Sequence, residues 1–325
     1  MRELRFVDAV REALREEMIR DSGVFLIGED MGLYGGCFGV TRGLLEEFGP
    51  DRLIETPISE GGFNGIAVGA ALVGSRPVVE LMFMDFITQA MDQLVNHAAK
   101  YAYMYGDQAC VPLTIRCPFG PGRAYGATHS QNLLSWFAQA PGVKVVAPST
   151  PADAWGLLKS AIRDDNPVVF GEHKLLYPVA GLVPDEGPLI PIGKANVIRP
   201  GTDISIISYA RMAQEALKAA EILDEYGTSA EVVDLRTLSP LDLEGIGESV
   251  KRTRRVLIVE DAPESGGIAA EVAFRIFEMA WDYLDAPIRR LCMPDTPVPC
   301  SPQLEAALIP NARTIADSAQ QLVEL

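Results

Sequence analysis

Apolar residues recur along this chain with two alternating spacings. Residues 6–20 are apolar at helical spacing. The predicted buried face consists of Phe6, Val7, Val10, Ala13, Leu14, Met18 and Ile19. Runs that are apolar at successive positions predict strands buried on both faces: VFLIGED (24–30), PVVELMF (77–83), VPLTIRC (111–117), VKVVAPS (143–149) and PVVFGEH (167–173). Helices are predicted between these strands, near 61–74, 86–105, 131–138 and 151–164.

A stretch rich in Pro and Gly at 177–193 breaks this rhythm, and we interpret it as a linker. The alternation then restarts, with strands at 204–210, 230–237, 255–262 and 288–294 and with helices at 212–226, at 241–252 and from 267. Strands alternating with helices indicate parallel sheets covered by helices. The pattern therefore predicts an α/β protein with two parallel-sheet domains, 1–176 and 194–325.

Composition and charge exclude several classes of protein. The 325 residues carry a formal net charge of −16, which repels nucleic acid and anionic membranes. No apolar run approaches the roughly 20 residues that span a bilayer, and the charged N-terminal pattern is unlike a secretory signal. Five scattered cysteines without a CxxC pair predict buried free thiols rather than zinc ligands or disulfides. We expect a cytoplasmic protein that binds neither nucleic acid nor membrane.

The run ETPISEGGFNGIAVGAALVG (55–74) is the most unusual segment. It places Glu60 at the start of a predicted helix built largely from Gly and Ala. Each Gly costs helix stability by roughly 1 kcal/mol, so such a helix is expected where another backbone must approach closely. The alternative is that Glu60 serves only the dipole of its helix.

Familiar catalytic motifs are absent from the sequence. It has no phosphate-binding G-x-x-x-x-G-K-[ST] loop, no G-x-S-x-G elbow and no G-x-G-x-x-G after a strand. Of the three histidines, His97 lies in a helical pattern, His173 ends a strand and His129 follows the Gly-rich segment GPGRAYG (120–126). A histidine in a loop is a candidate for chemistry, although most such histidines have no catalytic role.

Seven motifs in the same order give the chain a family resemblance. They are LIGED (26–30), ETPISE (55–60), GIAVGAA (65–71), ELMFMDF (80–86), ATHSQ (127–131), SAIRDDNPVVF (160–170) and DAPIRR (285–290). Over essentially its whole length, the chain resembles the beta subunits of thiamine-diphosphate-dependent 2-oxo acid dehydrogenases, of the pyruvate, acetoin and branched-chain types. The resemblance implies a transketolase-like pyrimidine-binding domain followed by a transketolase C-terminal domain.

The resemblance also implies roles for particular residues. Glu60 matches the glutamate that activates the cofactor by sharing a proton with its pyrimidine ring, a role that suits a desolvated carboxyl group. Met82 and Phe86, with Ile58 nearby, resemble residues that pack on that ring; ordinary core packing is the alternative. Glu29 matches an acid in a proton path between sites, unless it is a solvated charge at a strand end. His129 matches a substrate-side histidine that assists acyl transfer or stabilises a developing oxyanion.

A cation and two partner proteins follow from the same resemblance. Main-chain oxygens of Leu113, Ala161 and Ile162, with Asp164 and Asn166 nearby, resemble a potassium site, although Asp and Asn also cap turns without an ion. The Gly-Asp-Gly motif that holds the diphosphate through magnesium is missing, as is its downstream Asn pair. The resemblance therefore implies that a separate alpha subunit supplies the magnesium side of a shared thiamine diphosphate site, in an α2β2 heterotetramer. The C-terminal domain is expected to support dimerisation and to dock a lipoyl-bearing acyltransferase core.

These inferences lead to one expected function and several alternatives. We expect the beta subunit of the decarboxylating component of a 2-oxo acid dehydrogenase complex, active only with its alpha subunit. Its reaction would be oxidative decarboxylation of a 2-oxo acid such as pyruvate, with acyl transfer to lipoamide. Acetoin and branched-chain 2-oxo acid dehydrogenases are the alternatives with the same cofactor. A non-catalytic scaffold subunit is the alternative of another class, and a free-standing dehydrogenase of the Rossmann type is disfavoured by the missing glycine fingerprint.

Overall fold

The computed structural model describes residues 1–185, 187 and 189–325, which form two compact units. The first unit consists of Met1–Phe119 and Trp136–Ile192, and the second of Gly120–Ser135 and Gly193–Leu325. The predicted α/β class with two parallel-sheet units is confirmed. Among the described residues, no helix is both long and apolar enough to cross a membrane.

The first unit is built on a parallel sheet. Its strands are β1 (Arg2–Arg5), β2 (Val24–Gly28), β3 (Leu53–Glu55), β4 (Arg76–Glu80), β5 (Thr114–Phe119), β6 (Lys144–Val146), β7 (Val168–His173) and β8 (Ala180–Val183). The order β6-β7-β5-β4-β2-β3 joins neighbours that all run parallel, while β1 and β8 form an antiparallel pair. Strand β8 thus lies within 177–193, the stretch interpreted from sequence as a linker.

The helices up to residue 192 are α1 (Phe6–Arg20), α2 (Leu44–Phe48), α3 (Glu60–Leu72), α4 (Ala99–Met104), α5 (Leu134–Ala138) and α6 (Pro151–Arg163). The helical stretch predicted near 86–105 is present, but it is not a regular α-helix. A 3₁₀ segment at Met84–Ala90 is followed by a π-helical segment at Asp92–Ala98 and then by α4. Local hydrogen bonding therefore changes twice within one helical pattern.

Helix α1 follows its predicted face with one correction. Ile19 is 59% exposed, whereas Glu17 is fully buried. The Glu17 carboxylate accepts hydrogen bonds from Arg163 at 3.0 Å and from Arg20 at 2.7 Å, and these ion pairs satisfy its buried charge. An acid therefore occupies a buried position for which the apolar pattern gave no signal.

The prediction of buried thiols is also wrong for most of the cysteines. All five are free, as expected, but Cys37, Cys110 and Cys300 are exposed. Only Cys117 is buried, within β5.

The second unit has a sheet that is parallel except at one edge. The strands within this unit are β9 (Asn196–Arg199), β10 (Ile204–Ser208), β11 (Ala230–Asp234), β12 (Thr237–Ser239), β13 (Val256–Pro263) and β14 (Arg289–Met293), and all except β12 belong to its five-stranded sheet. Its helices are α7 (Ala210–Glu225), α8 (Leu243–Thr253), α9 (Ile268–Ala280), α10 (Pro302–Leu308) and α11 (Ala312–Val323). The sheet order is β14-β13-β10-β11-β9, and β9 runs antiparallel to β11. Helices α7 and α11 pack on this sheet around Ile206, Leu223, Val232 and Ile315.

Candidate active site

The carboxyl ends of three neighbouring strands meet at one edge of the first sheet. The register pairs Gly28, the last residue of β2, with Glu55 of β3 on one side and with Glu80 of β4 on the other. The residues that follow these three positions therefore leave the sheet side by side. This edge of a parallel sheet is where α/β proteins bind ligands. Five of the residues predicted from sequence follow it: Glu29, Ile58, Glu60, Met82 and Phe86.

Glu60 is the first residue of α3 and is only 4% exposed. Within the described part of the chain, no side chain or amide donates a hydrogen bond to its carboxylate. The nearby Asn64 donates instead to the main-chain oxygen of Glu60, at 2.8 Å. A nearly buried carboxylate that no protein group pairs is poorly solvated, whereas a Glu serving only a helix dipole can remain fully in water. The position therefore suits an acid that receives its donor from a bound group.

The glycines after Glu60 let α3 approach its neighbours closely. A Cβ placed on Gly61 would lie 3.1 Å from the main-chain oxygen of Gln89, in the 3₁₀ segment. The helix ends at Leu72, and Gly74 follows it with φ +99°. The small residues thus bring the backbone that carries Glu60 against the backbone that carries Phe86.

Glu29 lies beside Glu60. It is 3% exposed, and its Oε1 accepts a hydrogen bond from the main-chain N–H of Ser59 at 3.3 Å. Burial raises the pKa of Glu29 to about 7, and the negative charge of Glu60 adds to this rise. Glu29 is therefore not a solvated charge at a strand end. It is one of two neighbouring buried acids, and it changes protonation near neutral pH.

Apolar side chains follow the same strand ends as this pair of acids. Met82 and Phe86 are half-buried, unlike Met84 and Ile87 beside them, which are fully buried core residues. Ile58 is 74% exposed, just before α3. Partly exposed apolar side chains at a strand edge can cover an aromatic ring of a ligand.

A buried ion network that was not predicted from the sequence includes Glu80, the last residue of β4 at this edge. The guanidinium of Arg116 on β5 donates to Glu80 at 2.6 Å and to both oxygens of Glu172 at 2.7 and 2.9 Å. The Tyr177 hydroxyl donates to Glu172 at 2.8 Å. Burial raises the pKa of Glu80, and the charge of Arg116 opposes that rise. One charged residue inside each of three otherwise apolar predicted strands was the signal that could have revealed the network.

His129 lies in the segment 120–135, which belongs to the second unit. It is half-buried, its Nδ1 is 3.0 Å from the Thr128 hydroxyl, and its main-chain N–H points to the Gly126 oxygen at 3.4 Å. The structure therefore groups Glu29, Glu60 and the apolar residues in the first unit and assigns His129 to the second.

Some oxygens of the predicted potassium loop already interact with the cationic side chains of Arg76 and Lys144. One nitrogen of Arg76, Nη1, donates to the main-chain oxygens of Ile162 and Asp164, at 3.2 and 3.1 Å. The Asp164 carboxylate pairs with Lys144 and accepts the main-chain N–H of Asn166 at 2.9 Å, so Asp164 also caps a turn.

The other two predicted oxygens accept main-chain hydrogen bonds. Leu113 accepts from Val168 at 2.8 Å, and Ala161 accepts from Asp164 at 3.2 Å. Among the described residues, no group of three or more His, Cys, Asp or Glu side chains could hold a metal ion.

Comparisons with known proteins identify the family. Residues 2–180 match the model of the transketolase pyrimidine-binding domain, and residues 193–315 match that of the transketolase C-terminal domain. The chain is 45% identical to the pyruvate dehydrogenase E1 component subunit beta of Dictyostelium discoideum, over 98% of this chain and 90% of that one. It is 47% identical to the pyruvate dehydrogenase E1 component subunit beta of Porphyra purpurea, over 97% of this chain and 96% of that one.

Two further matches have different names. The acetoin:2,6-dichlorophenolindophenol oxidoreductase subunit beta of Cupriavidus necator is 45% identical over 97% of this chain and 96% of that one. Among solved structures, a split-gene transketolase described as an inactive beta4 tetramer shares the fold, with a TM-score of 0.80, 23% identity and 99% coverage of both chains. The chain therefore belongs to the family of beta subunits of thiamine-diphosphate-dependent 2-oxo acid and acetoin dehydrogenases, which join a transketolase pyrimidine-binding domain to a transketolase C-terminal domain.

Proposed function

We propose that this chain is the beta subunit of the decarboxylating component of a 2-oxo acid dehydrogenase complex, with pyruvate as its substrate. The reaction is oxidative decarboxylation followed by acyl transfer to lipoamide. The observation that carries the proposal is the buried Glu60 carboxylate, which no described residue supplies with a donor, beside Glu29 at the carboxyl edge of a parallel sheet.

The residues at this edge fit the pyrimidine half of thiamine diphosphate. When bound, the cofactor supplies the nucleophilic carbon that attacks the substrate carbonyl. With the cofactor bound, Glu60 would hold a proton between its carboxylate and a ring nitrogen, which would pair a carboxylate that no described residue supplies with a donor. Met82, Phe86 and Ile58 cover the ring and exclude water. Glu29, with a pKa of about 7, takes up or releases a proton near neutral pH.

Three further parts of the proposal concern groups outside this edge. His129 acts on the substrate side, where its ring donates to developing negative charge or assists transfer to the lipoyl group. Because the sequence lacks the Gly-Asp-Gly motif, an alpha subunit binds the diphosphate through magnesium, and the active assembly is an α2β2 heterotetramer. The second unit docks the lipoyl-bearing acyltransferase core.

A potassium ion at the loop of Leu113, Ala161, Ile162, Asp164 and Asn166 is a separate part of the proposal. A carbonyl oxygen has two lone pairs, so oxygens that already accept a hydrogen bond can still coordinate a hard cation. A higher Tm in potassium chloride than in sodium chloride at equal ionic strength is the expected result. Equal Tm values in the two salts would remove the ion from the proposal.

Glu60→Gln tests the central assignment in an assembly reconstituted with the alpha subunit. Gln cannot take up a proton, so we expect decarboxylation of pyruvate to slow by about 10²-fold or more. Asp153→Asn is the matched control, because Asp153 is also a buried acid in the first turn of a helix in the same unit. A near wild-type rate for Glu60→Gln, or an equal loss in both variants, would refute the role of Glu60.

Two other functions can be separated by assay. The 45% identity to the acetoin-oxidising subunit of Cupriavidus necator favours acetoin as the alternative substrate. Parallel assays with pyruvate, acetoin and branched 2-oxo acids identify the substrate. A reconstituted assembly that binds thiamine diphosphate but turns over none of them would instead indicate a scaffold subunit.

A further inference from the structure

The loop that carries His129 has an unusual backbone conformation. Four residues between 120 and 126 have positive φ: Gly120 (+90°), Gly122 (+104°), Ala124 (+57°) and Gly126 (+78°). Glycine adopts such angles freely, whereas a residue with a Cβ, such as Ala124, is strained at them. Strained backbone persists where surrounding groups hold it in place.

Glu305 supplies part of that support from a distant part of the sequence. It lies in the first turn of α10 and is 3% exposed. Its Oε1 accepts the main-chain N–H of Gly122 at 2.8 Å, and its Oε2 accepts that of Ala124 at 2.7 Å. A single buried carboxylate thus holds two alternate amides of the loop through charge-assisted hydrogen bonds.

The other end of the loop is fixed by Asn132. Its Nδ2 donates to the Tyr209 hydroxyl at 3.0 Å and to Oδ1 of Asp261 at 3.1 Å. The Tyr209 hydroxyl donates in turn to Glu260 at 3.0 Å. His129 lies between the two anchors, five residues after Ala124 and three before Asn132.

We propose that Glu305 is a positioning residue that fixes the 120–131 backbone and thereby the ring of His129. The inference rests on the role of His129 in the proposed function. A Gln at position 305 offers one acceptor and one donor, so its NH₂ group faces one of the two loop amides. That partly buried amide then has no acceptor, which destabilises the loop conformation.

Hydrogen exchange of the loop, measured in the α–β assembly, tests the contact directly. Glu305→Gln is expected to speed exchange of the amides in 120–126 by about 10-fold or more. Glu305→Asp keeps the charge but has a side chain one methylene shorter, and it is expected to give a smaller increase in the exchange rate. It is the variant to measure if Glu305→Gln does not assemble. Asp242→Asn is the matched control, because its two oxygens accept the amides of Ala195 at 3.0 Å and Gly245 at 3.2 Å, away from this loop. Unchanged exchange in both Glu305 variants would overturn the inference.

A double-mutant cycle with His129→Ala tests whether Glu305 acts through His129. We expect Glu305→Gln to slow acyl transfer in the wild-type background and to have no further effect in the His129→Ala background. An equal slowing in both backgrounds, or no slowing in either, would overturn the positioning role. If His129→Ala alone transfers acyl groups at the wild-type rate, the assignment of His129 in the proposed function fails. That result would remove the catalytic part of this inference, and the exchange data would still decide whether Glu305 holds the loop.

Discussion

Replacing Glu29 with Gln is predicted to change how stability depends on pH. Burial and the charge of Glu60 raise the pKa of Glu29 from 4.5 to about 7. The folded protein therefore holds this proton more tightly than the unfolded chain. The stabilisation by the protonated form is complete below about pH 4.5 and is lost as the pH rises to about 7. The difference between the two pKa values sets a ceiling of about 3 kcal/mol, which we reduce to about 1–2 kcal/mol because the effective dielectric constant at buried sites is higher than that of dry protein.

The assay is the free energy of unfolding in urea at pH 5, 6, 7 and 8, at one protein concentration so that assembly contributes equally. Between pH 5 and 8 the wild type should lose about 1–2 kcal/mol more than Glu29→Gln. Glu260, whose pKa burial raises to about 7, titrates over the same range in both proteins. Its contribution therefore cancels in the difference between them.

Two comparisons make this test decisive. Glu46→Gln, an exposed position on α2, should leave the pH profile unchanged. Glu60→Gln should flatten the profile in part, because it removes the second cause of the raised pKa but leaves the burial of Glu29. If Glu29→Gln and the wild type gave parallel profiles, the assignment of a pKa of about 7 to Glu29 would be wrong.

Two other substitutions test the packing that supports the site, each measured by urea unfolding. Arg116→Met leaves two buried carboxylates without their cation and should lower the free energy of unfolding by about 3–5 kcal/mol. The control Arg275→Met, at an exposed position, should lower it by about 1 kcal/mol or less. Equal losses of stability in the two variants would contradict the network. Gly142→Ala places a Cβ 2.0 Å from the main-chain oxygen of Ala99 at φ +98° and should cost about 1–3 kcal/mol more than Gly49→Ala, where φ is +77° but no atom lies within 4 Å. A smaller loss at Gly142 than at Gly49 would refute the close approach.

The buried parallel strands were predictable because each is an uninterrupted apolar run. The strands at 24–28, 76–80, 168–173 and 204–208 fall within, or one residue from, the predicted segments. The short edge strands Leu53–Glu55 and Asn196–Arg199 gave no such signal, since three or four residues with one exposed face carry too little pattern. The C-terminal helix Ala312–Val323 was missed although it begins with an Asn311 capping box, because it lies beyond the last predicted strand, at 288–294.

Some site residues could likewise be predicted from the local sequence, and others could not. Glu60 stood out because it precedes an unusually Gly-rich helix, and its position follows from local sequence. Glu305 could not be found in this manner, because its partners Gly122 and Ala124 lie more than 180 residues earlier in the chain. Arg116 and Glu172 likewise meet only through the order of strands in the sheet, which no single segment encodes.

The second unit draws its residues from two separated stretches, 120–135 and 193–325. Anyone who builds a chimaera from two relatives by joining them at residue 193 will therefore divide this unit between the parents. One parent would contribute the carboxylate of Glu305 and the other the loop that it holds. A graft that transfers 120–135 together with 193–325 keeps both sides of that contact from the same parent.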